Sequence, residues 1–230
     1  MKRIAIGDVH GCYLTLCALL EKLNLQSGDQ VWLLGDLINK GPRSKQVLDL
    51  LIAADQLPYE LRSVRGNHDQ KLLDVNKGNV VGKWLKNAQL RITLQSFGVN
   101  SPFEIESKYL QLLESLPYFV ELNTSFLVHA GFNFFTNRID LDKTAMLNTR
   151  SKPNLQNLQG KRLICGHIPQ PVSVVKMRLA KQEQFVQIDT GCPYYLTPDM
   201  GVLTALDIDT LQYWFQNNID LPYEGSNYYR

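Results

Sequence analysis

Three glycine-terminated apolar runs in the first third of the chain restrict it to a small set of folds. Ile4-Ala5-Ile6 ends in Gly7-Asp8-Val9-His10-Gly11, and Val31-Trp32-Leu33-Leu34 ends in Gly35-Asp36-Leu37-Ile38-Asn39-Lys40-Gly41-Pro42. A third run, Leu61 to Val64, leads into Gly66-Asn67-His68-Asp69. Runs this short that stop at glycine read as buried strands. Each is followed by helical spacing: Leu14 to Leu23, then Ser44 to Ala54 with Val47, Leu48, Leu50, Leu51 and Ile52 available for burial, then a short helix Gln70 to Val75. Strand, polar loop and helix in repetition predict a layered α/β (α+β) fold with its active loops at strand ends.

Residues 77–117 break that rhythm. Trp84, Leu85, Leu90, Leu94 and Phe97, a loop around Pro102, and Tyr109-Leu110-Gln111-Leu112-Leu113 read as a mostly helical, cap-like insertion beside the site. From Tyr118 the chain is strand-rich: Tyr118–Leu122, Ser125–Val128, Arg162–Cys165, Phe185–Ile188, Val202–Leu206 and Leu211–Phe215. Asn123-Thr124 suits a turn between the first two strands, and Asp207 to Thr210 a turn between the last two. At 230 residues, 44% hydrophobic and 20% charged, the sequence fits one globular domain over 1–230. The polar, aromatic tail from Asp220 is expected to be poorly ordered.

A net charge of +2 leaves no polyanion footprint, so no nucleic-acid partner is expected. Cys12, Cys17, Cys165 and Cys192 form no CxxC pair and read as free thiols in a reducing compartment. Cys12 reads as a small packing residue rather than a nucleophile. The first strand begins at Lys2 or Arg3, which leaves no room for a signal peptide, and no apolar run approaches the roughly 20 residues of a membrane span. A cytoplasmic protein with no membrane partner is the expectation.

The strand-end blocks carry chemistry. Asp8 and His10 lie two apart, so on an extended strand end they face the same way. Asp36 can bridge two ions with its two oxygens, Asn67 offers an amide oxygen, and His129 (Leu127-Val128-His129-Ala130-Gly131) and His167 (Cys165-Gly166-His167) offer imidazole nitrogens. All four of the chain's histidines fall in such motifs. Mixed carboxylate and imidazole ligation suits manganese, iron or zinc better than calcium. Two divalent ions carry +4 against −2 from Asp8 and Asp36, so the site attracts a phosphate dianion. The same excess charge makes hydroxide from a bridging water near neutral pH, poised for in-line attack on phosphorus.

The chain resembles the calcineurin-like metallophosphoesterases, in the phosphoprotein phosphatase branch with GDxHG, GDxxDRG, GNH[DE] and HAG motifs. The resemblance extends to Leu94-Gln95-Ser96-Phe97-Gly98, Leu116-Pro117-Tyr118, Gly166-His167 and Ile188-Asp189-Thr190-Gly191-Cys192, which look most like small bacterial serine/threonine protein phosphatases. It implies a four-layer fold, a central β-sandwich flanked by helices with a small helical cap. It also implies one metal ion held by Asp8, His10 and Asp36, and a second held by Asp36, Asn67, His129 and His167, with manganese expected. His68 matches the histidine that protonates the leaving oxygen, a role worth typically about 10²–10⁴-fold. Lys40 and Arg150 match phosphate clamps, guanidinium gripping two oxygens where ammonium is a point charge. Arg43 and Arg65 lie near the site in sequence but read equally well as solvated or ion-paired.

The GDxxDRG pattern is broken twice, by Asn39 for the aspartate and Lys40 for the arginine. Asn39 can accept a hydrogen bond from His68 but brings no negative charge, which makes His68 a scarcer acid at pH 7. A serine alkoxide, whose parent pKa is nearer that of water at about 15.7, needs that proton. A nucleoside phosphate, with a pKa of about 6, needs it far less. Lys86-Asn87-Ala88-Gln89 also departs from the Asn-Gly-Gly often found after the family's tryptophan. Three readings follow. The first is a phosphatase acting on phosphoserine or phosphothreonine in proteins. The second is a dinucleoside polyphosphate hydrolase cleaving diadenosine tetraphosphate, and the third is a metal-holding regulatory protein with little turnover.

Overall fold

A computed structural model describes residues 1–79, 88–133 and 139–221 of the chain. Trp84, Leu85 and the Lys86-Asn87 departure lie outside the described residues, as does the tail beyond Leu221. Two mixed sheets form the centre. The first has the order β3-β2-β1-β8-β9 and the second β4-β5-β6-β7. Strands β1 (Arg3–Ile6), β2 (Gln30–Leu33) and β3 (Glu60–Ser63) run parallel, while β8 (Val202–Asp207) lies antiparallel to β1 and β9 (Tyr213–Asn217) antiparallel to β8. In the second sheet β4 (Phe119–Glu121) is antiparallel to β5 (Ser125–Val128), and β5, β6 (Arg162–Cys165) and β7 (Phe185–Gln187) are parallel.

The period-2 alternation of strand side chains sorts the residues into three apolar layers. Ala5, Trp32, Leu34, Leu127, Ile164, Val186 and Leu206 meet between the sheets. Their neighbours Ile4, Ile6, Val31, Leu33, Leu203 and Ala205 point the other way, under helices α1 (Tyr13–Leu23) and α2 (Ser44–Ile52). Phe126, Val128, Leu163 and Cys165 point outward from the second sheet, toward Met146 of α6 (Lys143–Asn148). Helix, sheet, sheet and helix make the expected four layers. In the insertion, α4 (Ala88–Phe97) packs on α2, and α5 (Ser107–Ser115) packs on α2 and on α3 (Asn67–Asn76). Leu90, Leu94, Tyr109 and Leu113 from α4 and α5 join the layer built by α1 and α2.

Two features differ from the sequence reading. Helix α3 begins at Asn67 rather than Gln70, so the Gly66-Asn67-His68-Asp69 block is the first turn of a helix. Asp69 accepts from the Gly66 amide at 2.8 Å, a cap that no periodicity reveals. The later part of the chain also contains α6 and α7 (Val172–Ala180). Its valines Val172, Val174 and Val175 argue locally for a strand. Val175 and Leu179 nevertheless bury against the layer between the sheets, and tertiary packing overrides propensity.

Candidate active site

Strands β1, β2 and β3 run parallel in one sheet and β5 and β6 run parallel in the other, and the segments that follow these five strands carry every proposed ligand. Asp8 and His10 follow β1, Asp36 follows β2, Asn67 follows β3, His129 follows β5 and His167 follows β6. The loops after β1 and β2 are joined by backbone bonds, His10 N–H to Asp36 C=O at 2.7 Å, Gly11 N–H to Leu37 C=O at 2.8 Å and Gly41 N–H to His10 C=O at 2.7 Å. The His129 ring donates from Nδ1 to the Leu34 carbonyl at 2.8 Å, so a residue of the second sheet is held by the end of the first. A Cβ on Gly66 would collide with Asp36, and one on Gly166 with the Asp8 carboxylate. Both glycines are there because the carboxylates approach backbone.

His10, Asp36, Asn39, Lys40 and His167 all have positive φ, between 48° and 71°. Such backbone costs about 1–3 kcal/mol per residue and persists only where the surroundings enforce it. Its concentration at one strand-end cluster marks the place where the fold spends stability on side-chain aim.

The donor atoms converge. One group joins His10, Asp36 and His68 and another joins Asp8, Asp36 and His129, with the donor atoms of each group within 4.8 Å of one another. Asp36 is common to both, its Oδ2 3.4 Å from His10 Nε2 and its Oδ1 3.5 Å from His129 Nε2. Asn67 Oδ1 lies 2.9 Å from His129 Nε2 and 3.1 Å from His167 Nδ1, and the two ring nitrogens are 3.2 Å apart. Because His129 Nδ1 carries its hydrogen to Leu34, its Nε2 is a bare lone pair facing an amide oxygen. At most one hydrogen, on His167 Nδ1, is present among these three atoms. His10 also turns an unprotonated Nε2 inward, with Nδ1 donating to the Ile38 carbonyl at 3.1 Å, but there Nε2 accepts from Lys40 Nζ at 2.6 Å. Inward-facing acceptors with too few hydrogens fit divalent cations.

The protonation states agree. Burial pushes His10 and His68 well below the ordinary imidazole range, and pushes His129 down to about 4 and His167 to about 3, so all four rings are neutral at pH 7. Burial raises Asp36 to about 6, Asp189 to about 6 and Asp69 to about 7, and Asp8 is raised by burial and by Asp189 and Asp36. Divalent charge would reverse the carboxylate shifts. The imidazoles contribute stability that is lost as pH falls from about 6.5 toward 4. The raised carboxylates act oppositely: their stability is full below about 3.8 and is lost as pH rises toward 6 or 7. A cation that needs neutral imidazole and ionised carboxylate therefore binds best above both windows. Manganese at about 100-fold excess over Kd is expected to stabilise the protein at pH 7.5 by about 2.7 kcal/mol, roughly 5–10 °C in Tm. At pH 5 that rise is expected to fade. Scanning fluorimetry with a chelator control checks this, and an equal rise at both pH values would refute it.

The remaining candidates sit as follows. His68 is at the pair's edge, its Nε2 3.9 Å from Asp36 Oδ2 and its backbone N–H on Asp36 Oδ1 at 2.8 Å. Lys40 Nζ stands 2.6 Å from the bare His10 Nε2 and 5.1 Å above the Tyr194 ring, a positive charge against an inward lone pair. Arg150 is exposed, and its charge helps depress His167. Arg65 and Arg43 are occupied structurally: Arg65 on Gln70 at 2.8 Å and Tyr118 at 3.0 Å, Arg43 on Asp220 at 2.9 Å. Asn39 corrects the sequence reading. Its Nδ2 is 2.9 Å from His68 Nδ1, and an amide nitrogen only donates, so Asn39 gives a hydrogen bond to His68 instead of receiving one. Its Oδ1 is taken by the Thr93 hydroxyl at 2.6 Å. Sequence reasoning missed Thr93 and Asp189. Thr93 carries no motif and reaches the site only through the packing of α4. Asp189 stood in a recognisable segment, but its burial beside Asp8 is a tertiary fact.

The family model for the calcineurin-like phosphoesterase matches residues 1–210. A symmetrical bis(5'-nucleosyl)-tetraphosphatase of Hamiltonella defensa is 48% identical over 79 residues, 34% of this chain and 28% of that protein. The matched stretch thus spans little more than a quarter of that relative's length. Among solved structures, a candidate diadenosine tetraphosphatase superposes with a TM-score of 0.64 at 22% identity, covering 93% of this chain and 92% of the other. A cold-active protein-tyrosine phosphatase of a psychrophilic Shewanella superposes at 0.61 with 15% identity, covering 94% and 80%. These two share the fold. With a family-model match over residues 1–210 of its 230, the protein belongs to the calcineurin-like phosphoesterase family.

Proposed function

We propose that this chain is a two-metal phosphoesterase whose preferred substrates are phosphoanhydrides of the dinucleoside polyphosphate class. Asp8, His10 and Asp36 would hold one ion, and Asp36, Asn67, His129 and His167 the other. When bound, two divalent ions supply a nucleophile at neutral pH and neutralise charge on the transferring phosphoryl group. Lys40 and Arg150 bring positive charge to the phosphate, and His68 presents its Nε2 N–H toward the leaving oxygen.

The observation that carries the substrate reading is the hydrogen bond from Asn39 Nδ2 to His68 Nδ1 at 2.9 Å. A histidine held by a neutral donor is a poor source of a proton, and burial also depresses its charged form. Leaving groups that depart as stable anions suit such a site, and nucleoside phosphates are of that kind. The similar protein from Hamiltonella defensa is named for hydrolysis of such a substrate. Leu116-Pro117-Tyr118 and Ile188 to Cys192, which look like bacterial protein phosphatases, favour a second reading in which phosphoserine or phosphothreonine is cleaved. The test is kcat/KM with manganese on diadenosine tetraphosphate and on a phosphothreonine peptide, side by side. The dinucleotide is expected to be preferred by at least about tenfold, the scale of one lost proton-transfer contribution. A preference for the peptide would install the second reading, and no turnover of either would remove both.

A further inference from the structure

We propose that Thr93 is a specificity-determining positioning residue, which orients the Asn39 amide and through it leaves His68 with a single hydrogen, on Nε2. The inference rests on the phosphoesterase reading and concerns a residue outside every motif of the family.

The chain of contacts is short and enclosed. Thr93 and Asn39 are fully buried, and His68 is nearly so. An asparagine amide has two ends of similar shape and opposite polarity, so its neighbours decide which end faces the imidazole. The Asn39 backbone N–H is bound to Ser44 Oγ at 3.1 Å, which anchors the residue but says nothing about the amide. The Thr93 hydroxyl decides. Its hydrogen has three acceptors in reach, Asn39 Oδ1 at 2.6 Å, the Gln89 carbonyl at 3.3 Å and Ser44 Oγ at 3.5 Å. The shortest contact is at the strong end of O–H···O geometry and the other two are marginal. With Oδ1 claimed, Nδ2 must face His68 Nδ1, and Nδ1 must accept. His68 therefore offers one N–H, at Nε2, on the side facing Asp36.

An aspartate at position 39 could only accept and would call for a hydrogen on Nδ1. The Thr93–Asn39 pair does the reverse. It gives the leaving oxygen a hydrogen-bond donor without a transferable proton, which discriminates against leaving groups that need protonation. Helix α4 delivers Thr93 from the 77–117 insertion, so the insertion would act on substrate choice through the acid position and not only by covering the site.

The experiment uses Thr93→Val, which keeps the shape and removes the hydroxyl, and Thr93→Ser, which keeps the hydroxyl. In Thr93→Val either amide orientation leaves one end unpartnered, so the preference for Nδ2 toward His68 disappears. Two readouts follow. Nitrogen-15 spectra of the zinc-loaded protein report the His68 tautomer, assigned by difference with His68→Gln among only four histidines. The wild type and Thr93→Ser are expected to show hydrogen on Nε2 with Nδ1 bare, and Thr93→Val to show a mixture in which a substantial fraction of His68 carries its hydrogen on Nδ1. The second readout is the ratio of kcat/KM on phenyl phosphate, whose phenol has a pKa near about 10, to that on 2,4-dinitrophenyl phosphate. Thr93→Val is expected to raise that ratio by about tenfold, within the range of a general-acid contribution, and Thr93→Ser to restore it. A wild-type His68 with hydrogen on Nδ1, or a Thr93→Val protein with unchanged tautomer and ratio, overturns the proposal. So does an even loss of rate on both esters, which is what a purely structural role predicts. If the wild type turns over no phosphate ester, the phosphoesterase reading fails, and the tautomers alone still decide whether Thr93 sets the orientation of Asn39.

Discussion

Asp36→Asn is expected to abolish turnover, lowering kcat/KM by on the order of 10⁴-fold, because the metals' activation of water and their charge on the phosphoryl group are lost together. Asp36 is the residue common to both donor groups, one oxygen toward His10 and the other toward His129. The asparagine keeps Oδ1 for the His68 backbone N–H, so the loop retains its anchor. Its new Nδ2 would put N–H donors, in place of a carboxylate oxygen, beside the His10 Nε2 that already accepts from Lys40. Loss of fold is not the cause expected. Burial already raises Asp36 to about 6, so removing its charge relieves the metal-free protein. The metal-free variant is therefore expected to melt at or above the wild-type temperature, while the rise on adding manganese disappears. A variant that still binds two equivalents of manganese, or that keeps wild-type kcat/KM, would sink the ligand assignment.

The second large effect has the opposite sign. Asn39→Asp is expected to raise kcat/KM on a phosphothreonine peptide by about 10²-fold, the lower end of what general acid catalysis contributes. A carboxylate at position 39 has no hydrogen to give, so His68 Nδ1 would donate to it, and the adjacent negative charge favours the imidazolium. The Thr93 hydroxyl can donate to the carboxylate as it does to the amide. Diadenosine tetraphosphate gains little, since its leaving group departs without the proton, and activity on it is expected to hold or fall. The gain has a thermodynamic cost. The new carboxylate is fully buried where Asp36 and Asp69 are already pushed up, so the metal-free variant is expected to melt lower than the wild type. Equal gains on peptide and dinucleotide would break the link between Asn39 and leaving-group choice. No gain on the peptide would mean that His68 never supplies the proton.

These expectations draw on two levels of information. The strands, their glycine stops and the lone-pair-bearing side chains at Asp8, His10, Asp36, Asn67, His129 and His167 were legible in the sequence. Each is a local pattern: a short apolar run, a turn-forming glycine, and a side chain with a lone pair. The order of layers came from the resemblance to the family and not from the residues themselves, and the structure shows how alternation along Ile4-Ala5-Ile6 and Leu163-Ile164-Cys165 sorts them to opposite faces of a sheet. Helix α7 was not legible, because its valines favour a strand locally and only burial of Val175 and Leu179 makes it a helix.

The direction of the hydrogen bond at Asn39 belonged to tertiary structure alone. An amide donates and accepts equally well, so no reading of Asn39 by itself chooses between the two. The choice is made by Thr93, 54 residues further along, through a contact that exists only once α4 packs on α2. Asp189 follows the same rule, since its closeness to Asp8 arises where the first sheet meets the second. Residue types determine which bonds and ions are possible at this site. Long-range packing determines which of them form, because it alone sets which partners share the water-excluded space where a single misplaced hydrogen is costly.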